Sequence, residues 1–122
     1  MSEPRVIADP RHPCAGQRGL FATRRWAARR AIGRYEGAVR DYRRVADTSY
    51  CVGISADGWR GYCVDGADGG SDMRYVNDYR GVAASPNVRY LTVGGPTPVV
   101  VVVTTRPVPA GREFVADYGY EC

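Results

Sequence analysis

Turn signals divide this chain so often that it leaves little room for long helices. The clusters "DPRHP", "SADG", "GADGGSD", "GGPTP" and "PVPAG" punctuate it, and the pieces between them carry strand patterns. "RVIA" (residues 5–8) reads as a short first strand, and "GQRGLFATRRW" as a glycine turn running into a second. "AIGRYEGAV" is a third, closing near Gly37. "SYCVGI" and "RGYCVDG" flank "SADG" as a hairpin, "NVRYLTV" alternates as a half-buried strand, and "VVVVVTT" reads as a fully buried one. Only residues 38–50 suit a helix, a short one; "RRWAARR" could add a single turn with a solvated basic face. Many short strands at turn spacing predict a mainly β fold. With 122 residues and neither linker nor repeat, the expectation is one domain spanning 1–122.

Composition narrows the function classes. No apolar run approaches the length of a membrane span. The first residues, "MSEPRVIADPRHP", lack the apolar core of a signal peptide, so an intracellular protein without membrane contact is expected. Residues 1–44 hold 11 arginines against 4 acids, a balance of +7; residues 45–122 hold 6 against 9, a balance of −3; together they give the formal +4. All 17 basic residues are arginine, which excludes chemistry needing a nucleophilic lysine from this chain. Codon bias in a GC-rich genome is the favoured explanation of that bias, ahead of any functional one. The cysteines, Cys14, Cys51, Cys63 and Cys122, contain no C-x-x-C pair. No spacing supports a zinc site from His12, Cys14, Cys51 and Cys63, and reduced, partly buried thiols are expected.

Five fragments are more specific. "QRGLFATRRW", "AIGRYEGAV", "YCVDGADGGSDMRYVNDY", "SPNV" and "VPAGREFVADYGY" occur in this order over roughly residues 5–121. Together they resemble the SET-domain protein lysine methyltransferases, whose corresponding segments read as a glycine-rich turn and strand, "EYxG", "DaxxxGNxaRfiNHS", "xPN" and "GEELtyDYgy". The resemblance implies a β-clip of several small sheets whose C-terminal segment threads beneath the loop after "RYVN" as a pseudoknot. It implies S-adenosyl-L-methionine as methyl donor on one face and a target lysine entering a narrow channel from the other. Tyr118 falls on the catalytic tyrosine of "DYG", which also borders the donor, and Tyr35 on the channel tyrosine of "EYxG". Otherwise both are core aromatics with satisfied hydroxyls. Tyr120 matches a lysine-channel or donor-side aromatic, and Ala116 stands on the substrate side, where a larger residue often limits the methylation state. Arg18, Gly19 and Leu20 match the turn that approaches the methionine end of the donor. Asn77 and Asp78 match the pair that contacts adenine, largely through main chain; Asn77 could equally brace the pseudoknot. Phe114 is expected in the core, Arg74 in a structural ion pair, and Glu113 and Asp117 in structural roles.

The chain departs from the family pattern in places. Gln17 occupies the first glycine of "GxG", with Gly16 one residue earlier, and Asp78 and Tyr79 replace the usual histidine and serine. The family's cysteine-rich tail has no counterpart here. Another element is therefore expected to cover the channel, and one possibility is a homodimer, as in the small virus-encoded SET proteins this chain resembles in length. The implied partner is a lysine-containing peptide such as a histone tail, attracted by Asp47, Asp57, Asp65, Asp68 and Asp72, with a nuclear location if the substrate is a histone. The arginine-rich first third would suit nucleosomal DNA. Two other readings stand beside this one: a catalytically degenerate SET module that binds protein partners, and a basic β-barrel that stacks single-stranded nucleic acid on its aromatics.

Overall fold

A computed structural model describes residues 1–119 and residue 122. Among these residues lie ten strands: β1 (Ser2–Val6), β2 (Arg18–Ala22), β3 (Ala31–Tyr35), β4 (Ala38–Asp41), β5 (Cys51–Gly53), β6 (Tyr62–Asp65), β7 (Asn77–Asp78), β8 (Val88–Val93), β9 (Val99–Thr104) and β10 (Val115–Ala116). Two short 3-10 turns, Tyr42–Arg44 and Asp72–Tyr75, are the only helical pieces among them, and neither is long enough to cross a membrane. The strands form small separate sheets: β1–β2, β3–β9–β8, β4–β6–β5, and a parallel pair of β10 with β7. The mainly β architecture is as the turn spacing predicts.

Burial decides the strand order. The β-branched run of β9 sits centrally between β3 and β8, with Val100, Val102 and Thr104 buried and the alternate valines half-buried. It is therefore a one-faced strand rather than the fully buried one its composition suggests. The helix expected within 38–50 does not form. Ala38–Asp41 pairs with β6, from Ala38↔Asp65 to Asp41↔Tyr62, and Asp41 then accepts the Arg43 N–H to cap the 3-10 turn. None of the three residues in that turn is buried, so a helix there would have no apolar face to dock. "RRWAARR" is likewise loop, closed by the isolated bridge Trp26↔Val108.

One core collects residues from seven of the ten strands, among them Leu20, Val64 and Val102, together with Trp26, Met73 and Phe114 from the segments between. Phe114 is fully buried and meets Trp26 edge-on, ring centroids 6.2 Å apart. Gly33 makes space for this core at the β3 bulge, since a Cβ there would lie 2.9 Å from the Met73 sulfur. The thiol expectation is corrected for two cysteines: Cys14 and Cys122 form a disulfide, with Cα atoms 5.5 Å apart. They are 108 positions apart, so no sequence spacing could announce the pair; only the fold brings them together. Cys51 and Cys63 remain thiols, and burial, followed by the neighbouring Cys63 thiol, pushes Cys51 up to about 12.

Candidate active site

The last described segment is held in the middle of the fold by a side chain that acts like a strand. Asn87 donates its amide N–H to the Glu113 carbonyl (2.9 Å) and accepts the Val115 N–H (2.8 Å), while its own N–H donates to the Val115 carbonyl. On the other edge β10 runs parallel to β7, with Val115 opposite Asn77 and Ala116 opposite Asp78. Phe114, Val115 and Ala116 are all fully buried, so simple alternation breaks down just before Tyr118.

Asp78 sets the position of Tyr118. Its carboxylate is 2% exposed and accepts the Tyr118 N–H (2.8 Å), the Arg80 N–H (2.9 Å) and the Arg80 guanidinium (2.9 Å). Arg80 also reaches Asp117 at 2.9 Å, and this bond, with the Gly119 N–H, holds the Asp117 carboxyl below the usual carboxylate range. The resemblance gave Asn77 and Asp78 a contact with adenine largely through main chain, and the Asp78 side chain is accordingly occupied within the fold. The group is turned inward and fully committed, which leaves the main chain of Asn77–Asp78 to face a ligand.

Three tyrosines stand in a row. The Tyr118 hydroxyl donates to the Val76 carbonyl and accepts from Tyr90 (2.8 Å), whose ring lies parallel to that of Tyr118 at 6.0 Å. Tyr35 meets Tyr90 edge-on at 5.9 Å and donates its hydroxyl to the Tyr50 carbonyl at 2.5 Å. Burial first, and then the neighbouring Tyr118 phenol, pushes both Tyr35 and Tyr90 far above the ordinary phenol value, so they stay protonated donors. Tyr90 was missed at the sequence level. The signal was there: in "NVRYLTV" it shares a face with the buried Val88, whereas Arg89 and Leu91 are exposed.

Beside this row is a cleft of about 470 Å³. Arg18, Arg74, Tyr75, Asn77, Asp78 and Tyr118 are on its wall, together with Gln17, Tyr50 and Cys122. Four residues singled out in the sequence, Arg18, Asn77, Asp78 and Tyr118, are therefore brought together. Gly19 and Leu20 stand behind the wall. Leu20 is fully buried, and a Cβ on Gly19 would lie 2.6 Å from the Glu113 carboxylate. Tyr35 and Ala116 are not on the wall either; Tyr35 is reached through Tyr90, and Ala116 is buried with its carbonyl accepting the Tyr79 N–H. Tyr120 lies outside the described residues.

Glu113 fastens the cleft from behind. One oxygen accepts from His12 Nε2 (2.6 Å), and the other from the Asn77 amide (3.0 Å), which also donates to the Arg18 carbonyl (3.2 Å). The Cys14 N–H donates to His12 Nδ1, which fixes the ring proton on Nε2. Asn77 is thus a brace in its side chain and a cleft residue in its position. Arg74 makes no ion pair among the described residues, contrary to expectation. It donates to the Gly66 and Ala67 carbonyls and to the Tyr75 hydroxyl, with its guanidinium 5.1 Å from the Tyr75 ring centroid; the Arg18 guanidinium lies 5.9 Å from that centroid. Gly16, at φ 86°, takes the turn conformation that Gln17 would not favour.

These features agree with the comparisons to known proteins. The SET-domain family model matches residues 17–119. No curated protein sequence matches the chain. The methyltransferase domain of human PR domain-containing protein 2 superposes with a TM-score of 0.73 at 20% identity, over 93% of this chain and 74% of that one. KRYPTONITE, solved in complex with mCHH DNA, an H3(1-15) peptide and SAH, superposes with a TM-score of 0.74 at 20% identity, over 98% of this chain but only 23% of its own. The chain belongs to the SET-domain family.

Proposed function

We propose that the protein is an S-adenosyl-L-methionine-dependent protein lysine N-methyltransferase acting on histone tails. The observation that carries this reading is the anchoring of Tyr118 at the cleft, by Asp78 through its backbone and by Val76 and Tyr90 through its hydroxyl. The cleft suits the donor: its volume falls in the range of about 300–1,000 Å³ usual for small-molecule sites. Arg18 offers a cation to a carboxylate, Tyr75 an aromatic face, and Asn77–Asp78 main-chain groups to a base. When bound, the donor supplies a methyl group on a positively charged sulfur. The chain's own part is to receive a neutral amine. A free lysine has a pKa near ~10.4, and passage between apolar rings disfavours its charged form. Tyr35, Tyr90 and Tyr118 supply those rings, and fixed hydroxyls orient the nitrogen without giving up their protons. The C-terminal pseudoknot belongs to this reading, supported by the parallel β7–β10 pair and the Asn87 clamp.

A basic peptide is favoured by Asp47, Asp57, Asp68 and Asp72, which are exposed and have no arginine partner among the described residues; Asp65 is half-buried and leans on Arg40 at 3.5 Å. The H3 peptide bound by KRYPTONITE is in keeping with this. A nuclear location and a homodimer that covers the channel complete the proposal. Its test is Tyr118→Phe. The variant should fold, bind donor by calorimetry, and lose most methyl transfer to a histone mixture read by mass spectrometry. Undiminished transfer would remove Tyr118 from the mechanism, and absence of donor binding by the parent protein would favour the non-catalytic SET module.

A further inference from the structure

We propose that the loop joining β2 to β3 is a docking surface for the phosphate backbone of duplex nucleic acid, carried by Arg24, Arg25, Arg29 and Arg30. All four are exposed, and among the described residues none has a carboxylate within ion-pair distance. Five other arginines are paired, Arg5 with Glu3, Arg11 with Asp9, Arg40 with Asp65, Arg43 with Asp41, and Arg80 with Asp78 and Asp117, whereas this loop gathers four without an acidic partner within seven positions. The loop is also rigidly built. Trp26 and Val108 exchange both backbone hydrogen bonds (2.8 and 2.9 Å). Buried Thr104 accepts the Arg29 N–H on its carbonyl and the Arg30 N–H on its hydroxyl, each at 2.8 Å, and donates that hydroxyl to the Ala27 carbonyl. Four guanidinium groups are thus displayed from a fixed frame.

Arg29 sharpens the case. Its φ is 61°, left-handed territory that a side chain enters only at a cost in stability. Seven glycines, with φ from 66° to 87°, fill the comparable positions in the described chain, and Arg29 is the one residue there with a side chain. A guanidinium stands where glycine would fit more easily. Next to it is a hollow of about 720 Å³ lined by Arg24, Arg25 and Arg30 together with Met1, Trp26 and Pro107, and no acidic side chain lines it. It shares no residue with the cleft of the candidate active site.

The same geometry selects the partner. Trp26 is only 7% exposed, and the Arg24 guanidinium covers its ring at 4.3 Å, so it is not a platform for unpaired bases. Nor does the hollow offer an exposed aromatic ring, the usual anchor of a protein partner. What remains is unpaired positive charge on a rigid frame, which suits regularly spaced phosphates read without regard to sequence.

Binding of the whole chain to a fluorescent mixed-sequence DNA duplex, followed by anisotropy at stepped salt, tests this. Four phosphate contacts give a log–log salt slope of about −3.6, so a fourfold rise in salt should weaken binding about 10²-fold. Arg29→Gly suits the local backbone and should reduce the slope by about 1. Combining it with Arg24→Ala, Arg25→Ala and Arg30→Ala should remove most of the slope, while the variant still folds cooperatively and binds the donor as the parent does. If the combined variant fails to fold, Arg29→Gly alone gives the reading. A flat salt response, stronger binding to the single strand than to the duplex, or undiminished binding by both variants would each overturn the proposal. None of these results depends on methyl transfer.

Discussion

Asp78→Asn is the most direct probe of how the fold holds its key tyrosine. The substitution keeps shape and volume but removes the charge and one acceptor. The retained oxygen can still take the Tyr118 N–H and the Arg80 guanidinium, which share one carboxylate oxygen in the native chain. The new amide then points its own hydrogens at the Arg80 backbone N–H, whose acceptor was the other oxygen. Stranding a buried donor in this way costs about 1–3 kcal/mol, and making the Tyr118 N–H bond neutral while removing the anion facing the Arg80 guanidinium adds roughly 1 kcal/mol. The sum, about 2–4 kcal/mol, stays at the lower edge of the roughly 3–5 kcal/mol seen when a buried charge loses its only partner, because Arg80 retains Asp117 at 2.9 Å. Urea denaturation should show the loss as a lower midpoint at unchanged m, and hydrogen exchange should show the Tyr118 amide losing protection. Asp117→Asn is the control, since that side chain is 54% exposed and its surface pair is worth at most about 1 kcal/mol. If Asp78→Asn stayed within about 0.5 kcal/mol of the parent, or if both variants cost the same, the carboxylate would not be what fixes Tyr118.

Two further outcomes follow from the same geometry. The phenols of Tyr35 and Tyr90 ionise in the unfolded chain near pH ~10 but much later in the fold, so above that pH the unfolded state binds fewer protons and stability falls, by about 1.4 kcal/mol per pH unit for each. Urea midpoints at stepped alkaline pH should show this decline, and stability that holds level through pH ~11 would contradict it. The Cys14–Cys122 disulfide closes a separation of 108 residues, for which the loop-entropy limit is about 4.7 kcal/mol. Reductant should therefore lower the melting temperature of the parent and leave Cys122→Ser unaffected; equal melting with and without reductant would show that the bridge contributes nothing.

What could be read from sequence was what lies in motifs. "QRGL", "RYVN" and "ADYG" are far apart in the chain, yet Arg18, Asn77 and Tyr118 meet in one cleft. Turn chemistry likewise marked most strands. The errors share a cause, which is tertiary context. Residues 38–50 suggested a helix because nothing within them breaks one, but β6 offered Ala38–Asp41 a partner. Arg74 was expected in an ion pair, but the fold turns its guanidinium onto the Gly66 and Ala67 carbonyls instead. Tyr90 was legible in principle, as the only aromatic in an alternating strand, but its stacking on Tyr118 depends on a contact 28 residues away.

Glu113 carries a consequence for how the molecule comes into being. Its carboxylate ties His12 to Asn77, the first of these partners 101 positions away. A nascent chain leaving the ribosome cannot fasten Asn77 to His12 until this glutamate has emerged. Until then Phe114, Val115 and Ala116 cannot take their buried places between Asn77 and Asn87. Such long loops close slowly, so synthesis should yield a late, all-or-none appearance of the site rather than a graded one.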